Sequence, residues 1–232
     1  PPPPPPPPPL TAMRNRMPLR MLLAGAVPLS MLGWLGCAPR LQPLAGAPAP
    51  SIIPAAALPA GHHRIVFRWQ MEDPDISARG EGAARIAFPD SARLDFFFGG
   101  GLASGAAVLI GDNLTVPSRA DDLTRRLVPP PPLLWAALGR LAIPMMRDTV
   151  VRVDGDTLRA DIAMPGAWRV TFVRDTLRRI ERVDGGRIVE WVDRFAADRV
   201  RYRHEISRRQ LDLFITRIDD AVAFDPDIWT LP

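Results

Sequence analysis

The chain has 232 residues, a formal net charge of +4, 28 prolines and a single cysteine. All 29 basic residues are arginine, and three of them, Arg14, Arg16 and Arg20, precede Cys37, whereas the first acidic residue is Glu72; beyond Cys37 the balance is 26 arginines to 25 acids, so the concentrated cationic surplus of a nucleic-acid binder is missing. One cysteine excludes an intramolecular disulfide framework, and the residues beyond it suffice for one domain with a real core.

Pro1–Pro9 is a homopolymer that favours polyproline II and carries no core. With Leu10 to Ala12 it reads as a low-complexity extension, residues 1–12, and the expected start is Met13 or Met17. Residues 13–36 have the layout of a secretory signal: the arginine-bearing head, then an apolar run from Met21 to Gly36. That run is shorter than the ~20 residues needed to cross a bilayer. The run ends in Leu35-Gly36-Cys37, which resembles the bacterial lipobox, with Trp34 where the pattern usually has Leu. The resemblance implies a diacylglycerol on Cys37, and the alternative is an ordinary secreted protein whose lone cysteine is incidental. From Cys37 to Ala60 the chain holds six prolines (39, 43, 48, 50, 54 and 59), many alanines and one charge, Arg40, with no hydrophobic period. This is expected to be a semi-rigid tether of ~3.1 Å per residue.

From His62 the residues alternate. Ile65, Phe67, Trp69 and Met71 share one face against Arg64, Arg68 and Gln70, a strand by period two. Ile76–Phe88 is a second strand, in which Gly80 and Gly82 predict a bulge or strong curvature. Ala92–Phe98 is a third, followed by a glycine-rich loop, Gly99–Gly105, and by strands Ala106–Ile110 and Leu114–Val116. Ser118 is a candidate N-cap ahead of Asp121 and Asp122, with Leu123 and Leu127 on one helical face. Pro129–Pro132 end that helix, and the last proline starts another, Leu133 to about Ala142, apolar around most of its circumference and therefore buried on more than one side. Seven further strands follow: Val150–Val153, Leu158–Met164, Trp168–Arg174, Leu177–Val183, Arg187–Phe195, Val200–Ile206 and Leu211–Ile218. Turns such as Asp154-Gly155-Asp156 and Asp184-Gly185-Gly186 separate them, and such short connections force antiparallel pairing. The predicted fold is α+β, mainly β: about eleven antiparallel strands with a two-helix insertion; so long a meander must either close or cover its concave side, and the apolar second helix is the obvious cover.

This order of elements behind a lipobox resembles the LolB/LolA-like bacterial lipoprotein carriers and receptors over Gly61–Pro232. Three local patterns carry the resemblance: Arg93-Leu94-Asp95-Phe96-Phe97-Phe98 with the loop after it; Leu134–Pro144 with Leu138-Gly139 and Ile143-Pro144; and Phe224-Asp225-Pro226-Asp227-Ile228-Trp229. The resemblance implies an unclosed half-barrel with the two-helix insertion covering its concave face, an apolar cavity that takes acyl chains or lipoproteins, no catalytic chemistry and no cofactor. It also implies a periplasmic carrier protein as a partner, and an exposed Leu on the protruding loop that enters the bilayer; by position this is Leu102, unless it folds back onto the core. Ala38 after the cysteine, rather than Asp, implies the outer membrane. Inward-facing candidates for the cavity wall are Phe67, Trp69, Phe96, Phe98, Trp135, Leu138, Trp168, Phe172, Trp191 and Phe214, although the same alternation also serves a plain core.

Enzyme motifs are not supported. Gly101–Gly105 lacks the spacing of a nucleophile elbow. His62-His63 abuts the tether and His204 stands alone, so neither a triad nor a metal site is expected. Asp154, Asp156, Asp161, Asp225 and Asp227 read as turn and surface residues. The arginine-rich strands (Arg178, Arg179 and Arg182; Arg199, Arg201 and Arg203) read as solvated faces, with anionic head groups or an acidic partner as the alternative. A structural or assembly lipoprotein that uses the half-barrel to dock proteins is the second functional reading.

Overall fold

Strands form wherever the sequence alternates. A computed structural model describes residues 38–99, 103–117, 122–144, 146–162 and 167–231, all of them within the unit Leu35–Pro232. The expected signal segment 13–36, Cys37, Leu102 and Ser118 lie outside the described residues. Six strands come first: β1 (Ala47–Ala49), β2 (His62–Glu72), β3 (Ser77–Ala87), β4 (Ser91–Phe98), β5 (Ala103–Ile110) and β6 (Asn113–Thr115). Helices α1 (Asp122–Leu127) and α2 (Pro131–Leu138) follow. The second run of strands is β7 (Val150–Asp154), β8 (Thr157–Ile162), β9 (Ala167–Val173), β10 (Thr176–Asp184), β11 (Arg187–Ala196), β12 (Arg199–His204) and β13 (Arg209–Ala221).

All thirteen strands form one sheet, ordered β1-β7-β8-β9-β10-β11-β12-β13-β2-β3-β4-β5-β6, with β1 and β6 as edges. Two meanders are joined where β13 returns to β2, in register from Gln210 opposite Glu72 to Ala221 opposite His62. The sheet does not close, and the mainly β, antiparallel half-barrel with a helical insertion is the architecture present.

The strand count exceeds the expected eleven partly because the tether is not free. Residues 38–60 lie along the sheet. β1 pairs with β7, Leu41 N–H donates to the Gly186 carbonyl (2.9 Å), and Ile188 N–H donates to the Pro39 carbonyl (2.9 Å). Arg187 donates to the Ala38 carbonyl (2.9 Å) and Arg169 to the Gln42 carbonyl (2.7 Å). Leu58 is buried in the core, and Ile53 and Ala56 pack against it. A proline-rich segment has few N–H groups but keeps every carbonyl, so arginines and an open strand edge can hold it without any side-chain periodicity.

The glycines of β3 do not make a bulge, because its pairing with β2 and β4 is continuous. They make room. A Cβ on Gly80 would sit 2.7 Å from the Trp69 ring, and one on Gly82 would sit 2.5 Å from the Phe67 ring. Nor does the glycine-rich loop reach Gly105, since β5 begins at Ala103 and pairs Gly105 with Phe96.

Helix α2 is shorter than expected. Gly139 takes a left-handed conformation (φ 98°), and its N–H and that of Arg140 bond back to Ala136 and Trp135, closing the helix at Leu138 rather than Ala142. Leu133, Leu134, Trp135, Ala136 and Ala137 are all buried, so α2 is enclosed on every side. Near the C-terminus, the 3₁₀ turn Pro226–Trp229 is capped by Asp225, which accepts from Asp227 N–H, and is pinned by Arg93 donating to the Ile228 carbonyl (2.7 Å).

Candidate functional site

The inner faces of β2, β3, β4, β12 and β13 meet α2 along apolar side chains, and the meeting is incomplete. An apolar cavity of about 190 Å³ remains between them. Phe67 and Ile65 come from β2, Ala84 and Ile86 from β3, Leu94 from β4, Val200 from β12, and Leu213 and Ile215 from β13. Leu134, Ala137 and Leu138 of α2 form its roof. A bulge between Ile215 and Arg217 shifts the parity of β13, so that Ile218 also turns toward the cavity. Ile218 is 58% exposed and Pro59 is exposed, which places an opening at this rim. A narrow extension of about 20 Å³ runs on beneath Leu127, Pro129, Phe96 and Tyr202.

Polar groups sit only at the margins. His63 accompanies Pro59 at the rim and bonds to Asp220 (2.9 Å) and to the Ala60 carbonyl (2.9 Å). Arg194 of β11 borders the cavity and donates to the Ala137 carbonyl at the C-terminal end of α2, where a cation is favoured by the helix dipole. Burial, and then the neighbouring Arg178 cation, pull its pKa below the ordinary arginine range. Beyond the narrow extension, Tyr202 donates to Glu190 (3.0 Å), which Arg182 also engages (2.7 Å). Burial, followed by the Glu190 carboxylate, pushes the Tyr202 phenol well above its usual range. No cluster of metal-ligating side chains occurs among the described residues.

The sequence-predicted wall residues divide three ways. Phe67 and Leu138 line the cavity, and Phe96 lines its extension. Trp69, Phe98, Trp135, Trp168 and Phe172 are core residues that border neither. Trp69 packs edge-to-face on Phe96 and Phe98 and donates to the Glu81 carbonyl (2.9 Å), while Trp135 donates to the Gly111 carbonyl (2.7 Å) beneath Arg140. Phe172 is fully buried and Trp168 half-buried against the core. Trp191 and Phe214 are on the outer face, a correction with a simple cause: Val192, Leu213 and Ile215 face the core, so their sequence neighbours must face out. Trp191 lies under Arg179, 4.1 Å from the ring centre, and donates to Glu205 (2.7 Å). Phe214 lies beside Arg199 and lines an open hollow of about 840 Å³, shared with Arg68, Arg79, Glu81 and Phe97.

Sequence reasoning missed Ile65, Leu94, Leu134, Ala137, Val200, Leu213, Ile215 and Arg194. Arg194 had a readable signal, because it shares the parity of the inward Val192.

Among solved structures, the chain is similar to the LolA superfamily protein NE2245 of Nitrosomonas europaea, with 11% identity over 76% of this chain and 93% of that one at a TM-score of 0.51. The fold is LolA-like. Looser similarity joins this LolA-like chain to a DUF1329 family protein of Desulfovibrio piger ATCC 29098 (8% identity, 74% and 90% covered, TM-score 0.42). It also extends to an outer membrane lipoprotein-sorting protein domain of Vibrio parahaemolyticus (8% identity, 72% and 89% covered, TM-score 0.43). No family model and no curated protein matches the sequence.

Proposed function

We propose that this LolA-like domain is a non-catalytic binder of acyl chains or lipoproteins, held at the outer membrane with its domain in the periplasm. The carrying observation is the apolar cavity under α2, roofed by Leu134, Ala137 and Leu138, with its polar lining residues His63 and Arg194 at the margins. Its 190 Å³ lies below the ~300 Å³ at which small-molecule pockets usually begin, so the resting cavity takes part of one chain, and a larger cargo requires α2 to shift. In this reading Cys37 carries the lipid anchor. Because residues 38–60 are laid on the sheet, that anchor would hold the β10–β11 turn close to the membrane instead of suspending the domain on a long leash. Leu102, in the β4–β5 connection, is the proposed membrane-entering side chain, and a periplasmic carrier would deliver the cargo.

The second reading, a protein-docking module, draws on the outer-face hollow, where Phe97 is 42% exposed beside Arg68 and Arg79. Displacement of a fluorescent fatty acid from the purified protein separates the two. Saturable 1:1 displacement supports the acyl reading, and an absence of binding to wild type favours docking.

A further inference from the structure

Two arginines reach the inner side of the half-barrel at opposite ends of β11, and they are treated differently. Arg182, on the neighbouring β10, meets the buried Glu190 carboxylate, so its charge is neutralised in place. Arg194 has no such partner: among the described residues, no carboxylate lies within ion-pair distance of it, and the bond it makes is to the neutral Ala137 carbonyl. Its neighbour Arg178 adds positive charge. That guanidinium is already committed, lying 3.6 Å from Asp193 and donating to the Arg194 and Phe195 carbonyls.

A half-buried cation whose described hydrogen bond is to a neutral carbonyl is a ready partner for an anion. Capping α2 accounts for one N–H of Arg194, and a guanidinium carries five. Its surroundings say where the others face. Arg194 borders both the 190 Å³ apolar cavity and a separate hollow of about 480 Å³, which is also lined by Val173, Thr176, Leu177, Arg178 and Ala196. An apolar slot on one side of an unpaired cation and a wider, solvent-open hollow on the other have the outline of a tail and a head.

We propose that Arg194 is the head-group site of the cavity, and that its ligand is a single-chain amphiphile ending in an anion, a carboxylate or a phosphate monoester. The tail lies beneath α2, and the anion takes the free N–H edge of Arg194 at the mouth of the larger hollow. This rests on the acyl-binding reading and narrows it from any acyl chain to an anionic one. A neutral ester or alcohol would fill the slot and leave the cation unpaired.

The test is competition against a fluorescent acyl probe on the full chain at pH 8, with dodecanoate, dodecyl phosphate, 1-dodecanol and inorganic phosphate below any micelle concentration. Dodecanoate and dodecyl phosphate are expected to bind about tenfold or more tightly than dodecanol, the gain typical of a charge-assisted hydrogen bond. Arg194→Gln should bring acid, phosphate and alcohol to equal affinity, and Arg194→Lys should restore part of the difference. Inorganic phosphate alone should not displace the probe; if it does so as well as dodecyl phosphate, the site is one for free anions and the proposal fails. Equal binding of acid, phosphate and alcohol to the wild-type protein overturns the head-group assignment while leaving acyl binding intact. That comparison decides even if Arg194→Gln does not fold. If none of the three binds, the acyl-binding reading itself is lost.

Discussion

At Ala137 a single methyl group borders both the cavity and its narrow extension. Ala137→Phe would place a ring in that space, so acyl binding should fall at least about tenfold while the melting temperature holds or rises, read by probe titration and by calorimetry. Leu134, 2% exposed in the same roof, should behave oppositely: Leu134→Ala is expected to cost about 2–5 kcal/mol in denaturant unfolding. Phe214→Ser, on the outer face, should leave acyl binding within about twofold of wild type. The placing of Phe214 and Trp191 was legible before any coordinates, because a strand whose odd positions are Leu211, Leu213 and Ile215 points Phe214 away. Parity is a stronger constraint than aromatic character where one face of a sheet is buried. The cavity could not have been read this way. It is the space left when Ala84, Ala137 and Val200 fail to fill the gap between helix and sheet, and that depends on distances between elements far apart in the chain.

Among elements, the segment 38–60 departs most from expectation. Its prolines and alanines carry no period, so nothing local marks it as structured; what holds it is an open strand edge and the distant arginines Arg152, Arg169 and Arg187. If it is docked, the Leu41 amide, which donates to the Gly186 carbonyl, should exchange with deuterium far more slowly than a free chain, whereas a true leash would exchange at the random-coil rate. Helix α1 is fixed by two devices. Gly105 lets it approach β5, since a Cβ there would sit 2.1 Å from Thr124 Oγ1; Gly105→Val is expected to cost about 1–3 kcal/mol, with partial recovery in the double variant with Thr124→Ala. Asp73, at the β2–β3 turn, accepts from the Asp75 N–H (3.1 Å), from Arg126 of α1 (3.1 Å) and from Arg209 of β13 (3.4 Å). The Asp75 amide first, and then the two cations acting against burial, hold its carboxyl below the ordinary 3.8. A lowered folded-state pKa stabilises the fold fully above 3.8, and that contribution is lost as pH falls through the lower value. Denaturant melts of wild type and Asp73→Asn should therefore differ by a constant amount at neutral pH and converge in strong acid.

For the whole molecule, the antiparallel strands and the helical insertion followed from alternation and short turns, the unclosed half-barrel followed from the resemblance, and the structure has both. The sheet leaves β1 and β6 as edges, and its concave side depends on α2 for cover, so the interior is only as full as one eight-residue helix makes it. That under-filling is the physical basis of the proposed function. It is tested most directly by native mass spectrometry of the protein isolated without detergent and then exposed to dodecanoate. The account predicts a single bound chain per molecule, retained by wild type and missing from Ala137→Phe. Wild type with no adduct, or an equal adduct on the filled variant, would contradict it.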